Sequence, residues 1–156
     1  MTDTPDTHPA RATVRPVQLG DRGAWQRLFT AYGVFYETDF TQSVLDGVWA
    51  WLSDASHPVS ALVAELDGAL VGFAHLRRLD DTFTAGPAWF LDDLYVVPEQ
   101  RGTGIARRLI EACDATAHAA GGGTLRWITA SDNTTAQRLY NRVATRTTWV
   151  TYERET

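Results

Sequence analysis

Lysine is absent from the 156-residue chain, and all 14 of its basic residues are arginines. A nucleotide-binding P-loop places a lysine after its second glycine, so this absence excludes that kind of site. The single cysteine, Cys113, excludes an internal disulfide and indicates a reducing compartment, which we expect to be the cytoplasm. Cys113 falls at helical spacing from Leu109 and Ala117, a pattern typical of a small core residue and not of a catalytic thiol.

The chain also lacks long apolar runs, metal-ligand patterns and an excess of positive charge. No apolar run is long enough to cross a membrane, and no group of histidines and cysteines has metal-ligand spacing, so we expect neither a membrane nor a metal as partner. The formal net charge of -5 disfavours nucleic acid, because phosphate backbones attract basic surfaces. The content of 44% hydrophobic and 21% charged residues is ordinary for a globular protein.

The pattern of apolar residues predicts one domain over residues 12–156, after a tail at residues 1–11 that we expect to be disordered. The Asp67-Gly68 pair is a strong signal for a hairpin between two strands. The order of elements predicts a mixed α/β sheet with helices on both faces. The expected strands are 12–17, 60–66, 69–79, 89–97, 125–130 and 147–154. The expected helices are one that follows Asp21 and includes Trp25 to Phe35, and three at 42–52, 104–120 and 133–143.

The stretch from Leu94 to Ile110 passes from a strand through a glycine-containing turn into a helix. Helix N-termini leave main-chain amides unpaired and attract anions, and Gly102 and Gly104 would let a phosphate reach the main chain. A dinucleotide-binding fold requires a third glycine near the start of a βαβ unit, which this chain lacks. The turn alone does not distinguish a phosphate site from a structural turn.

The residues around the turn favour a phosphate site over a structural turn. Arg101-x-x-Gly104-x-Ala106, preceded by Leu94-x-Val96 and a proline, resembles the acetyl-coenzyme A loop of the GNAT acetyltransferases. The later stretch "ASDNTTAQRLYNR", residues 130–142, is similar to the strand and helix that follow in that family. The resemblance is greatest to the small-amine and amino-acid acetyltransferases, including the polyamine and Hpa-type groups. It implies a mostly antiparallel sheet that is splayed at a β-bulge.

This resemblance also implies roles for residues along the stretch. Main-chain groups of Leu94, Tyr95 and Val96 would hold the pantetheine arm, and the Leu94 amide would donate to the acetyl carbonyl oxygen. The amides of the turn would hold the pyrophosphate. The residues of that turn are Arg101, Gly102, Thr103, Gly104, Ile105 and Ala106.

The last helix would contribute two further residues by the same resemblance. Tyr140 matches the family's general acid, which protonates the departing sulfur, although a tyrosine at this position could also pack in the core. Asn133 is placed to cap the helix and to touch the pantetheine arm.

Strand alternation bears on the choice of a base. If Leu94 and Val96 border the cofactor cleft, a regular strand points Asp92 the same way and Asp93 to the opposite face. We therefore expect Asp92 to act as the base or as a charge partner for the amine, with a solvated strand end as the alternative. A water chain and His75 remain alternatives as base, although a mid-strand histidine is more often a core residue.

The acceptor pocket is expected near the early helices, where an aromatic cluster stands beside acidic residues. Tyr36 and Glu37 are the expected substrate contacts. The resemblance implies an N-acetyltransferase that moves acetyl from acetyl-CoA directly to a primary amine of a small molecule. A protein or peptide N-acetyltransferase and a non-catalytic acyl-CoA-binding module are the alternatives.

The C-terminal end departs from the family pattern. Many members have a Gly-Phe pair after the last helix and then two strands, whereas this chain has no glycine after Tyr140 and room for one long strand. An isolated edge strand invites pairing with another chain. We therefore expect a homodimer formed through the strand around 147–152, as the resemblance to Hpa-type proteins also implies.

Overall fold

The computed structural model describes residues 11–156, so the expected tail lies outside the described residues except for Arg11. Five strands form one sheet in the order β1-β2-β3-β4-β5, in which β1 to β4 are antiparallel and β5 runs parallel to β4. The expected mixed α/β fold is confirmed. The elements are β1 Thr13–Pro16, α1 Arg22–Phe35, α2 Gln42–Leu52, β2 Val59–Leu66, β3 Ala69–Asp81, β4 Gly86–Val96, α3 Ile105–Ala119, β5 Leu125–Arg126 and α4 Thr134–Val143.

Helices cover both faces of the sheet because its central strands are apolar on both sides. One core lies between the sheet and α3, where Leu76, Leu109 and Cys113 are fully buried. The other lies between the sheet and the pair α1 and α2, around Trp25 and Phe73. Among residues 11–156, none of the helices combines the length and apolarity required to cross a bilayer.

A β-bulge interrupts β4 at Asp92. Leu91 lies opposite Leu76 and Asp93 lies opposite His75, so Asp92 is an extra residue that has no partner of its own on β3. The extra residue reverses the alternation of side chains along the strand. Odd-numbered residues such as Leu91 face α3 before the bulge, whereas the even-numbered Leu94 and Val96 face it afterwards.

Two strand predictions are wrong in extent. The strand expected over 125–130 pairs with β4 only at Leu125 and Arg126, and the strand expected over 147–154 is not assigned. Residues 144–156 are exposed throughout. A strand exists only where a neighbour accepts and donates its main-chain hydrogen bonds, and within the described chain the C-terminal segment pairs with none.

A glycine pair before β5 sets its approach to β4, and we expect it to be sensitive to substitution. Gly122 and Gly123 both have positive φ, at 75° and 103°. A Cβ at Gly123 would also overlap the carbonyl oxygen of Pro87, whereas one at Gly122 would meet nothing within 4 Å. Gly122→Ala should therefore cost about 1 kcal/mol of unfolding free energy, and Gly123→Ala at least about 2 kcal/mol more. Urea denaturation of both variants checks this, and equal losses would contradict it.

Candidate functional site

The outer edge of β4 carries main-chain groups that the sheet does not use. The Val97 amide donates to the Val71 carbonyl at 2.9 Å, and this bond fixes the alternation of the antiparallel ladder. It turns the N–H and C=O groups of Leu94 and Val96 away from β3 and those of Tyr95 toward it. The expectation that Tyr95 offers main-chain groups to a cofactor is therefore wrong, while both main-chain groups of Leu94 and the amide of Val96 face outward without a partner in the described chain.

Those groups are accessible because β5 leaves β4 early. The two strands pair only where Trp89 meets Leu125 and Phe90 meets Arg126. Beyond Phe90 the edge of β4 has no neighbouring strand among the described residues. The result is a cleft that has a main-chain wall on one side.

A turn rich in free amides closes one end of this cleft. The first main-chain bond of α3 runs from Arg108 to the Gly104 carbonyl, and in the described chain the amides of residues 102–107 have no acceptor. Arg101 is the exception to what we expected, because its amide donates to the Pro98 carbonyl at 3.2 Å. The described amides without an acceptor are thus those of residues 102–107, one residue further along the chain than the predicted amides of residues 101–106.

Glycine is required in this turn by backbone conformation. Gly102 and Gly104 have φ of 77° and 86°, and Gly104 caps α3 without any side-chain cap. A Cβ at either position would meet no protein atom within 4 Å, so the turn presents bare main chain to open space. Six free donors and the positive end of a helix on an open surface are what a diphosphate requires, so these residues fit a coenzyme A pyrophosphate.

The Arg101 side chain links this turn to the cleft. Its Nε donates to the Val96 carbonyl at 3.1 Å. Its guanidinium carbon lies 5.8 Å from the ring centroids of both Phe35, at the end of α1, and Tyr95. Arg101 therefore connects the cofactor turn to the end of α1.

Tyr140 lies on the cleft side of α4 and is held against Trp127, with ring centroids 5.5 Å apart in an edge-to-face arrangement. Burial raises the pKa of its phenol, and the nearby Tyr36 phenol raises the same pKa further. Tyr140 consequently keeps its proton at neutral pH. The proximity of Tyr36 brings the end of α1 to the position of the expected general acid.

Asn133 caps α4, as expected, because its side-chain oxygen accepts from the Ala136 amide at 3.2 Å. Tyr36 and Glu37 lie at the exposed end of α1, and Glu37 has a positive φ of 55°. Tyr36 reaches the cleft, whereas no described contact connects the Glu37 side chain with it.

The bulge overturns the reasoning that selected Asp92. Its carboxylate is bound by the Arg77 guanidinium through both oxygens, and Arg77 shares the face of β3 that is turned to α1 and α2. Asp92 therefore does not share the face of Leu94. Asp93, which alternation was expected to turn away, lies on the α1 face of the sheet opposite His75 and is bonded to it.

Two other predictions concern nucleophiles and bases. Cys113 is fully buried, and burial raises the pKa of its thiol to about 12, so it is a core residue as expected. His75 is only 2% exposed, and both of its ring nitrogens have hydrogen-bond partners, as expected for a core histidine.

Sequence reasoning missed Trp25 and Asp93 as members of the site, whereas Tyr32 belongs to the aromatic cluster near which the acceptor pocket was expected. Tyr32 lies beside Asp93, and the pKa of its phenol is raised first by burial and then by the Asp93 carboxylate. The bulge that places Asp93 here leaves no mark in the hydrophobic pattern. The signal that was present is the Asp92-Asp93 pair itself, which interrupts an otherwise apolar strand.

A sheet opened beside a bulge and an amide-lined start of a helix define an acyltransferase architecture that binds a coenzyme A thioester. The sequence profile of the acetyltransferase (GNAT) family matches residues 25–144. The chain belongs to this family and is an acyltransferase that uses acetyl-CoA. Among the described residues, no group of three or more side chains could hold a metal ion.

Characterised relatives and solved structures agree with this assignment. A D-amino-acid N-acetyltransferase, HPA3, of Saccharomyces cerevisiae is 30% identical over 92% of this chain and 91% of its own. An aminoglycoside N(6')-acetyltransferase type 1 of Stenotrophomonas maltophilia is 32% identical over 70% of this chain and 69% of its own. The aminoglycoside N-acetyltransferase AAC(6')-Iy in complex with CoA superposes with a TM-score of 0.81 at 20% identity, covering 96% of this chain and 97% of that one.

We expect Gly104→Ala to weaken coenzyme A binding. Alanine disfavours positive φ by about 1–2 kcal/mol, so the free turn would relax and would have to be re-formed around the pyrophosphate. Isothermal titration should show a Kd raised about tenfold. Gly47→Ala on α2, where a Cβ meets nothing within 4 Å, is the matched control and should leave Kd unchanged. Equal affinity in the two variants would show that the turn does not hold the cofactor.

Proposed function

We propose that the protein transfers the acetyl group of acetyl-CoA directly to a primary amine of a small molecule, such as a polyamine, an amino acid or a related amine. The observation that carries this proposal is the Asp93 carboxylate, which lies on the α1 face of β4 beside Tyr32 and directly precedes Leu94, whose main-chain groups face the open edge of the strand. A carboxylate at this position suits an ammonium group. The names of the yeast and bacterial relatives, which act on D-amino acids and aminoglycosides, support a small amine.

Direct transfer is favoured over an acyl-enzyme. Cys113 has a buried thiol with a raised pKa, which makes it a poor nucleophile. Among residues 11–156, no serine or cysteine is hydrogen bonded to a histidine, the arrangement that activates a covalent nucleophile. The free thiol of Cys113 also supports a reducing, cytoplasmic location as part of the proposal.

The roles of the binding residues follow from their free main-chain groups. When bound, acetyl-CoA supplies a thioester whose carbonyl carbon is open to attack by an amine. The amides of residues 102–107 would hold its pyrophosphate, and the outward groups of Leu94 and Val96 would pair with its pantetheine arm. The Leu94 amide would donate to the oxygen on which negative charge develops. Asn133 would add a side-chain contact at the start of α4.

Tyr140 would supply the proton that the sulfur takes up. Its raised pKa means that it is protonated throughout the neutral range, and the phenol loses its proton only as the pH rises above the usual tyrosine value. The alkaline limb of turnover that depends on this group should therefore lie above about pH 10.

A panel of acceptors tests the proposed function. Release of free thiol from acetyl-CoA should be measured with polyamines, D- and L-amino acids, aminoglycosides and a short peptide with a free N-terminus. At least one small amine should give a kcat/KM more than about tenfold that of the peptide, because the proposed site recognises an ammonium group and makes no use of a longer chain. A preference for the peptide would indicate a peptide acetyltransferase. Tight coenzyme A binding without turnover on any amine would indicate a binding module.

We expect Tyr140→Phe to lower kcat about 100-fold and to change the coenzyme A Kd less than about twofold, because only the proton donor is lost. The matched control is Tyr152→Phe, which removes the same hydroxyl from an exposed tyrosine beyond the end of α4 and keeps its ring in the C-terminal segment. Steady-state kinetics and calorimetry provide the two measurements. Wild-type turnover in Tyr140→Phe would exclude the role as general acid.

We also propose that two copies of the chain associate through the C-terminal segment. Trp149, Val150 and Tyr152 are 87%, 72% and 90% exposed, an unusual density of apolar surface for a segment without a partner. The edge of β5 has no further neighbour among the described strands, so a segment from a second copy could extend the sheet. Whether the two copies exchange this segment is left to the measurement.

Light scattering after size exclusion should give twice the chain mass of 17.3 kDa at micromolar concentration. Trp149→Ser should shift the equilibrium to the monomer by removing the largest exposed apolar side chain of the segment. Glu155→Ser, in the same segment, should leave the dimer intact. A monomeric wild-type protein is incompatible with this proposal.

A further inference from the structure

A line of hydrogen bonds runs from α1 through the sheet to the bulge. The indole Nε1 of Trp25 donates to Nε2 of His75 at 2.9 Å, and Nδ1 of His75 lies 2.8 Å from Oδ2 of Asp93. Trp25 is fully buried and His75 nearly so, while the Asp93 side chain keeps 23% of its surface exposed. The line therefore begins in the core and ends at a carboxylate on the surface of the site.

The direction of these bonds fixes the tautomer of His75. An indole N–H can only donate, so Nε2 of His75 must accept and cannot carry a proton. The ring proton therefore lies on Nδ1 and is donated to Asp93. Because Nε2 is occupied, His75 is not available as a base, and its function is to hold the carboxylate.

Aromatic rings surround His75. The rings of Phe29 and Phe73 lie 4.9 and 4.7 Å from it, between centroids, so the environment is apolar. A second proton on His75 would displace the indole bond and place a charge among these aromatic rings. The titratable groups that face the pair are Asp93 itself and the phenol of Tyr32 from α1.

The two adjacent carboxylates differ in charge balance. Asp92 is neutralised by Arg77, whereas Asp93 has no arginine within ion-pair distance among the described residues. Asp93 is thus the carboxylate whose negative charge is free to attract an ammonium group. Tyr32 lies beside it and is 4.9 Å from Tyr36, between ring centroids, and the Tyr36 phenol is near enough to Tyr140 to raise the pKa of that phenol.

We propose that Asp93, oriented by the Trp25–His75 pair, binds the ammonium group of the acceptor and takes its proton. This inference rests on the proposed function. It gives Asp93 the role of base that was expected of Asp92, because the bulge does not place Asp92 as that expectation required. The ammonium gives one proton to Asp93, which later passes it to solvent. The nitrogen lone pair forms the N–C bond, the C–S bond breaks, Tyr140 protonates the sulfur, and the second nitrogen proton restores Tyr140. One proton is released per turnover.

Asparagine substitutions at the two carboxylates provide the first test. Asp93→Asn should lower kcat/KM about 100-fold at pH 7. The loss of kcat/KM in Asp92→Asn should be at least about tenfold smaller. Coenzyme A affinity should be unchanged in both variants, since neither side chain lies on the cofactor side of β4. A larger loss in Asp92→Asn than in Asp93→Asn would overturn the assignment.

The pH dependence separates a base from a merely structural carboxylate. Each pH unit supplies about tenfold more free amine from solution, so the deficit of Asp93→Asn should shrink by about tenfold or more between pH 7 and pH 9.5. A deficit that stays constant over this range would overturn the role as base. If the wild-type protein acetylates no amine while binding coenzyme A, the proposed function fails first. If the wild type is active and Asp93→Asn is equally active, only the present inference fails.

The positioning role of His75 has a spectroscopic test on the unaltered protein. Nitrogen-15 spectra of the imidazole should show a protonated Nδ1 and an unprotonated Nε2 in the neutral ring. Trp25→Phe keeps an aromatic ring but removes the donor, so it should lower kcat about tenfold without altering coenzyme A affinity. A protonated Nε2 in the wild type would overturn the orientation of the relay, whether or not the variant folds.

Discussion

The unpaired main chain along one edge of the cleft is the constraint on which the site depends. A sheet normally pairs every buried amide and carbonyl, and leaving them free is costly unless a ligand or water takes their place. Here the early departure of β5 frees Leu94 and Val96, and the glycine turn frees the amides of residues 102–107. Both sets open onto the same side of the molecule. Cofactor binding therefore depends on main-chain groups that the fold leaves without hydrogen-bond partners.

The bulge at Asp92 organises the opposite side of the same strand. One extra residue puts Leu94 on the α3 face and leaves two consecutive carboxylates near α1 and α2. Arg77 neutralises one of them, while the His75 ring holds the other. The bulge thus lies between two functional features of β4. These are the main-chain edge at Leu94 and Val96, which would bind the cofactor, and the Asp93 carboxylate, which has no arginine within residues 11–156 to balance its charge. Coupling of the two sides would pass through Tyr36 and Arg101, which contact elements from both.

The fold could be predicted from the sequence because its signals are local and regular. The Asp67-Gly68 hairpin, the cap at Asn133 and the glycine turn before α3 each depend on a few neighbouring residues. The choice between Asp92 and Asp93 could not be predicted, since a strand that gains one residue reverses its alternation without changing composition. The strand predicted for the C-terminal segment is absent for a related reason. Its apolar residues favour a strand, but whether a strand forms depends on a partner that local sequence does not specify.

The central claim is that free main-chain amides hold coenzyme A. The most direct measurement is a titration of nitrogen-15-labelled protein with coenzyme A, followed through the assigned amide signals. The amides of residues 102–107 and of Val96 should shift together and saturate at one equivalent, while the Arg101 amide, already bonded to Pro98, should shift less. Saturable binding that leaves the signals of residues 102–107 in place would contradict it.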